Sequence, residues 1–148
     1  MSLTQQQKER EEELKKLITT IKPRISAFSY TIHKEGRQRE EVTCGGKIKY
    51  IVDTGLLTDN PSERVIYVTI DDGLGELLIV IPSIFWDNIH ATIGDVVIAE
   101  GILFSPPKEC EFESKAGDNI KIKVIREDEP FRVLVKSIEK INMDEGAQ

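Results

Sequence analysis

Few residues of this chain have the types and spacing that covalent chemistry requires. Asp53-Thr54-Gly55 has the residue types of a catalytic carboxylate triplet, but it occurs once and runs straight into turn residues, which explain it better. Asp71-Asp72 offers two adjacent carboxylates of the kind that hold a metal. The pair is followed by Gly73, so a tight turn, where Asp bonds its own backbone, accounts for it. Gly73-Leu74-Gly75 lacks the following helix that a phosphate-cradling loop needs. His33 and His90 are far apart, and neither has metal-ligand spacing to Cys44 or Cys110. No nucleophile–base pair can be named, so the sequence predicts a protein that is not an enzyme, with no cofactor and no metal.

Non-covalent chemistry has better support. In Val65–Ile70 the alternation aims Ile66, Val68 and Ile70 inward and Val65, Tyr67 and Thr69 outward. Glu76–Ile81 aims Leu77, Ile79 and Ile81 inward, leaving Leu78 and Val80 outside. On the preceding strand Ile48 points in, and Lys47 and Lys49 point out. An outward tyrosine beside lysines suits base stacking with phosphate tracking. Lys108, Lys121 and Lys123 lie further on, the last two alternating with Ile120, Ile122 and Val124 and so sharing one strand face. The bland alternatives are a tyrosine that merely covers the sheet surface and lysines that simply face water. Leu78 and Val80 would support bases, or be covered by the N-terminal helix or a partner.

These residues need elements to position them. Leu14, Leu17, Ile18 and Ile21 share a helical stripe, Thr4 with Gln7 forms a capping box, and Pro23 stops the helix near Ile21. Phe28, Tyr30 and Ile32 alternate, which predicts an extra strand over Ala27–His33 in a basic stretch from Lys22 to Arg39. From Val42 the pattern is β. Strands are expected at Val42–Val52, Val65–Ile70, Glu76–Ile81, Val96–Phe104 and Phe131–Ile141. Asp71–Gly75 makes a hairpin turn, and Pro82 opens a short helix carrying Ile84, Phe85, Trp86 and Ile89. Phe85 and Trp86 read as core plugs, and Phe104 and Phe131 read as core in preference to stackers on the rim. Glu109–Glu113 and Asn119–Ile125 read as an inserted hairpin, and residues 142–148 as a disordered tail.

The charge distribution limits the partner. Residues 1–41 carry nine Lys/Arg against seven Asp/Glu, residues 42–104 three against nine, and residues 105–148 eight against ten, for a net charge of −6. An acidic chain lacks the broad basic face of a salt-driven duplex binder, but a narrow stacking groove is compatible with it. No apolar run approaches the roughly 18 residues of a membrane span, and the polar N-terminus does not read as a signal peptide. Two cysteines without a secretion signal read as reduced, which points to the cytoplasm.

The order strand, long loop, hairpin, short helix, strand, strand resembles an OB barrel, whose middle helix plugs the barrel between the third and fourth strands. Val65-Ile66-Tyr67-Val68-Thr69-Ile70-Asp71-Asp72-Gly73-Leu74-Gly75-Glu76 is similar to the second and third strands of the nucleic-acid-binding OB family. That family includes anticodon-binding domains of class II aminoacyl-tRNA synthetases, the OB domain of bacterial DNA polymerase III alpha subunits, and replication protein A. Ile93-Gly94-Asp95-Val96-Val97-Ile98-Ala99-Glu100-Gly101 resembles the family's approach to strand four, and Pro82 to Asn88 resembles the polymerase version. The likeness covers Val42 to Phe104.

The expected fold is therefore all-β. A five-stranded OB-fold Greek-key barrel spans residues 42–141, with an N-terminal helix and basic linker over residues 1–41 and a hairpin inserted between strands four and five. The resemblance implies single-stranded DNA or RNA as partner, DNA favoured, in replication or repair, as an accessory module of the DNA polymerase III alpha type that meets replication proteins. In the anticodon-binding relatives an aromatic at the position of Tyr67 stacks on a base. The rival expectation is a protein-interaction OB domain that docks a partner through its N-terminal helix and barrel face.

Overall fold

The computed structural model describes residues 2–56, 64–105, 108–113, 121–126 and 130–143. The chain forms α1 (Ser2–Ile21), a 3-10 turn (Lys22–Arg24), α2 (Ser29–Glu35), β1 (Glu41–Asp53), β2 (Val65–Asp71), β3 (Glu76–Pro82), α3 (Ser83–Ile89), β4 (Val96–Phe104), β5 (Lys108–Glu113), β6 (Lys121–Arg126) and β7 (Arg132–Ile141). Strands β1, β2, β3, β7 and β4 close in that order into a barrel, and β5 with β6 makes a separate two-stranded sheet. β3 and β7 run parallel and the other barrel pairs antiparallel, so the sheet is mixed. Closure removes the free strand edges that an open sheet would expose.

Alternation builds the core as expected from the sequence. Ile66, Val68 and Ile70 of β2 and Leu77, Ile79 and Ile81 of β3 are buried, together with Val97, Ala99, Leu103, Val133 and Val135. Phe85 and Trp86 pack on this core from α3, and Phe131 does so from the segment before β7. Two bulges interrupt the ladders. In β1 the register slips between Ile48 and Tyr50, leaving Lys49 as the extra residue. Between β4 and β7 it slips at Glu100/Gly101, leaving Lys136 extra, and a Cβ at Gly101 would come within 2.1 Å of the Leu134 carbonyl oxygen.

Three expectations are corrected. Ala27–His33 is not a strand: Ser29–Glu35 is helical. Phe28 and Ile32 also stand four apart, and the helical option wins because it drops Ile32 into the barrel core while Phe28 joins the helix cluster. The Ser29 backbone N–H at the start of α2 donates to Asp72 Oδ2 at 2.6 Å, which ties this helix to the β2–β3 turn. The α1 backbone is helical from Ser2, so Thr4 lies within the helix rather than capping it. Finally, α1 does not cover Leu78 and Val80. Its Leu17 and Ile21 are buried against Val96 and Ile98 of β4, with Ile25, Phe28 and Ile141 around them. The hairpin lies where the sequence indicates, but its loop and the tail beyond Met143 fall outside the described residues.

Candidate functional site

α1 packs on Val96 and Ile98 of β4 and lies beside the Lys47 end of β1, and Tyr50, Val52, Tyr67, Leu78 and Leu134 are not among the residues of that helix cluster. Across β2 and β3, Tyr67 stands opposite Val80 and Thr69 opposite Leu78. Across β1 and β2, Tyr50 stands opposite Thr69 and Val52 opposite Tyr67. β7 continues the rows, with Arg132 opposite Leu78 and Leu134 opposite Val80. Tyr67, Thr69 and Leu78 are half-buried, whereas Tyr50 is 63% and Val52 52% exposed. Val80 is the floor of this face, at 5% exposure between Tyr67 and Leu134. The face thus joins two tyrosines to an apolar floor.

Tyr50 is a site residue that strict alternation misses. Counting by twos from buried Ile48 would send Tyr50 inward, but the Lys49 bulge inserts one residue and turns Tyr50 outward, with Ile51 toward the core. Arg132 was missed too, because one Arg at the start of a strand carries no pattern. Its Nε is buried with no hydrogen-bond partner among the described residues. The ladder sets Arg132 opposite Leu78, at the β7 edge of the face.

The predicted lysines behave differently from one another. Lys49 Nζ lies 3.2 Å from Asp71 Oδ2 and 3.6 Å from Glu76 Oε1. The hydrogen bond to Asp71, then the charges of Asp71 and Glu76, raise the Lys49 pKa above its ordinary value. Lys47 is exposed and makes no ion pair among the described residues. In the hairpin, the ladder sets Lys108 opposite Arg126, Lys121 opposite Glu113 and Lys123 opposite Glu111. The side chains of these lysines lie outside the described residues.

The remaining polar residues hold the ends of the face. Asp53 and Asp87 share the Arg64 guanidinium: Arg64 Nε and Nη2 donate to Asp53 at 2.9 and 2.6 Å, and Nη1 donates to Asp87 Oδ2 at 2.9 Å. Arg64, followed by the Gly55 N–H, holds the Asp53 carboxyl down at about 2. Thr54 Oγ1 donates to the Val65 carbonyl at 2.8 Å and accepts the Val65 N–H at 3.0 Å. The Asp-Thr-Gly triplet therefore fastens the end of β1 to β2 and α3. At the other end, Asp71 Oδ1 accepts the Gly73 N–H, while buried Asp72 accepts the N–H groups of Ser29, Leu74 and Gly75. These acidic residues are consumed by turns, as Asp in hairpin turns commonly is.

The reactive candidates stand apart. Cys44 is buried in the core, and burial, then the nearby charge of Asp72, pushes its thiol up to about 12. His33 Nε2 lies 3.0 Å from the Glu76 carbonyl oxygen, and His90 closes α3 in the left-handed region at φ 51°. Among the described residues, no group of three or more His, Cys, Asp or Glu is placed to hold a metal ion, and no helix is long and apolar enough to cross a membrane.

No protein-family model matches the sequence, and no curated protein does. Among solved structures, the fold is similar to that of an OBody bound to hen egg-white lysozyme, with a TM-score of 0.52 and 15% identity over 81% of this chain and 97% of that one. At that identity the likeness bears on fold alone. It agrees with a mostly β, five-stranded, OB-like arrangement carrying an N-terminal helix.

Proposed function

We propose that this chain is an OB-fold module that binds single-stranded nucleic acid across the outer face of β1, β2 and β3. The observation that carries the reading is the pairing of exposed Tyr50 with half-buried Tyr67 on a face outside the α1 cluster. Tyrosine rings on adjacent strands stack bases whatever their identity, because every base has a π-face. Leu78 and Val80 form an apolar floor under them, and Thr69 adds a hydroxyl between them. Lys47 is the free lysine of the predicted pair. Lys49 orders the β2–β3 turn through Asp71 and Glu76, and reaches a phosphate only by giving up part of that pairing.

DNA is favoured over RNA, in replication or repair, because the hairpin and helix from Val65 to Asn88 most resemble the polymerase version of the family. Lys108, Lys121 and Lys123 of the β5–β6 hairpin remain in the proposal as further contacts on the grounds of sequence alone. A protein docked on the same face is the second reading, and the exposure of Val52 together with Leu134, at 44%, favours it. Fluorescence anisotropy with labelled oligothymidine at low and moderate salt separates the two. Saturable binding weakened by Tyr67→Ala is the expected result, and absence of binding at low salt overturns the nucleic-acid reading.

A further inference from the structure

The outer row of β1 does not end with the tyrosines. From Val52 and Tyr50 it continues through the bulged Lys49 to Lys47, beside α1, and then to Gly45, where a Cβ would meet Ile25, just past the 3-10 turn, at 3.3 Å. Along that row a groove of about 600 Å³ opens between α1 and β1. Its cations are Arg10 and Lys16 from the helix and Lys47 and Lys49 from the strand, against the carboxylates of Glu13 and Asp71. Asp71 is already paired with Lys49. Arg10, Lys16 and Lys47 have no carboxylate within ion-pair distance among the described residues. A surplus of unpaired cations in one concavity is unusual in a chain whose net charge is −6.

The groove is also built to keep its shape. Leu17 and Ile21 anchor α1 on Val96 and Ile98. Ile18 sits over the β2–β3 turn so closely that a Cβ on Gly73, at φ +93°, would come within 2.8 Å of it. Helix and strand thus hold their cations on two fixed walls, above a floor that includes Leu14, Leu17 and Val96.

We propose that this groove is a phosphate track that extends the binding face, so that a strand stacked on Tyr50 and Tyr67 runs along β1 and passes between Lys47 and the helix cations Arg10 and Lys16. The inference rests on the nucleic-acid reading of the tyrosine face. Tyr50 and Lys47 are three residues apart, roughly 10 Å along a strand, so a strand crossing the face reaches the groove without a gap. The ligand recognised here is the phosphodiester backbone, by charge and without base selection.

The test compares the wild-type chain with its Arg10→Gln/Lys16→Gln variant, which leaves Lys47 to the face, using labelled oligothymidines of about 5 and about 15 nucleotides, within the range of roughly 4–16 that one such barrel covers. Both positions are exposed, and circular dichroism checks that the variant keeps its fold. Each single-strand phosphate contact contributes about 0.7 to the salt slope, so removing two lowers the slope for the long oligomer by about 1.4. Between 50 and 200 mM salt, the wild type then loses roughly 7-fold more affinity for the long oligomer than the variant does. The short oligomer, held on the face, keeps its slope. An unchanged slope for the long oligomer, with binding that Tyr67→Ala still weakens, overturns the groove and leaves the face standing. Failure of both oligomers to bind at low salt overturns the reading of the face, and the groove with it.

Discussion

Tyr50 and Tyr67 share one outer face because Lys49 bulges from β1. The bulge sets Tyr50 opposite Thr69, so that it meets Tyr67 on the diagonal of the β1–β2 ladder. Diagonal neighbours of this kind have Cα atoms about 7–8 Å apart, close enough for two rings to serve one ligand. The same bulge releases Lys49 toward Asp71 and Glu76, so one inserted residue organises both the aromatic face and the ion pairs at its edge.

Asp53 and Arg64 make the fold sensitive to acid. Arg64 holds the Asp53 carboxyl at about 2, below its ordinary value of 3.8. As pH falls, the unfolded chain takes up this proton before the folded one. The contribution of the pair is full above roughly pH 4 and disappears as pH drops toward 2. Thermal unfolding at a series of pH values should show the wild type losing more stability over that interval than Arg64→Gln does. Parallel curves for the two proteins would show that the pair contributes nothing.

Asp72 is 3% exposed and accepts three backbone N–H groups, one of which begins α2. Asp72→Ala leaves those donors unpaired, at a cost of roughly 1–3 kcal/mol for a fully buried group. The expected loss is about 3 kcal/mol, read as a lower denaturation midpoint at unchanged slope. Asp72→Asn, which keeps an acceptor, should lose less. A change within about 0.5 kcal/mol for Asp72→Ala would place the turn and α2 outside the cooperative core.

Cys44 should be chemically silent. The thiolate is the reactive form, and burial holds this thiol up at about 12. In a Cys110→Ser background, alkylation at neutral pH should proceed only as fast as the protein opens, and become rapid in denaturant. Rapid labelling of the native protein would contradict the core position of Cys44.

The barrel was legible in the sequence because its strands alternate cleanly. Ile66, Val68 and Ile70 against Leu77, Ile79 and Ile81 leave one register that buries both sets. Tyr67 and Leu78 followed from that alternation. Tyr50 did not, because a bulge changes the count by one and leaves no mark in residue type. The segment around Tyr30 was misread for a related reason: three apolar residues fit a period of two as well as a turn of helix, and what favours the helix, Ile32 in the barrel core and Ser29 bonded to Asp72, lies far away in sequence. The seat of α1 on β4 was equally out of reach, since the stripe of Leu17 and Ile21 states that the helix packs but not on what.

The central claim is that Tyr67 and Tyr50 together form a stacking face. Anisotropy titration of labelled oligothymidine against the wild type, Tyr67→Ala and Tyr50→Ala tests it most directly. Each substitution should weaken binding by roughly 1–3 kcal/mol, about 5- to 150-fold, and Tyr50→Ala, at an exposed position, should leave the thermal midpoint nearly unchanged. Wild-type binding that neither substitution alters, or no wild-type binding at low salt, would contradict it.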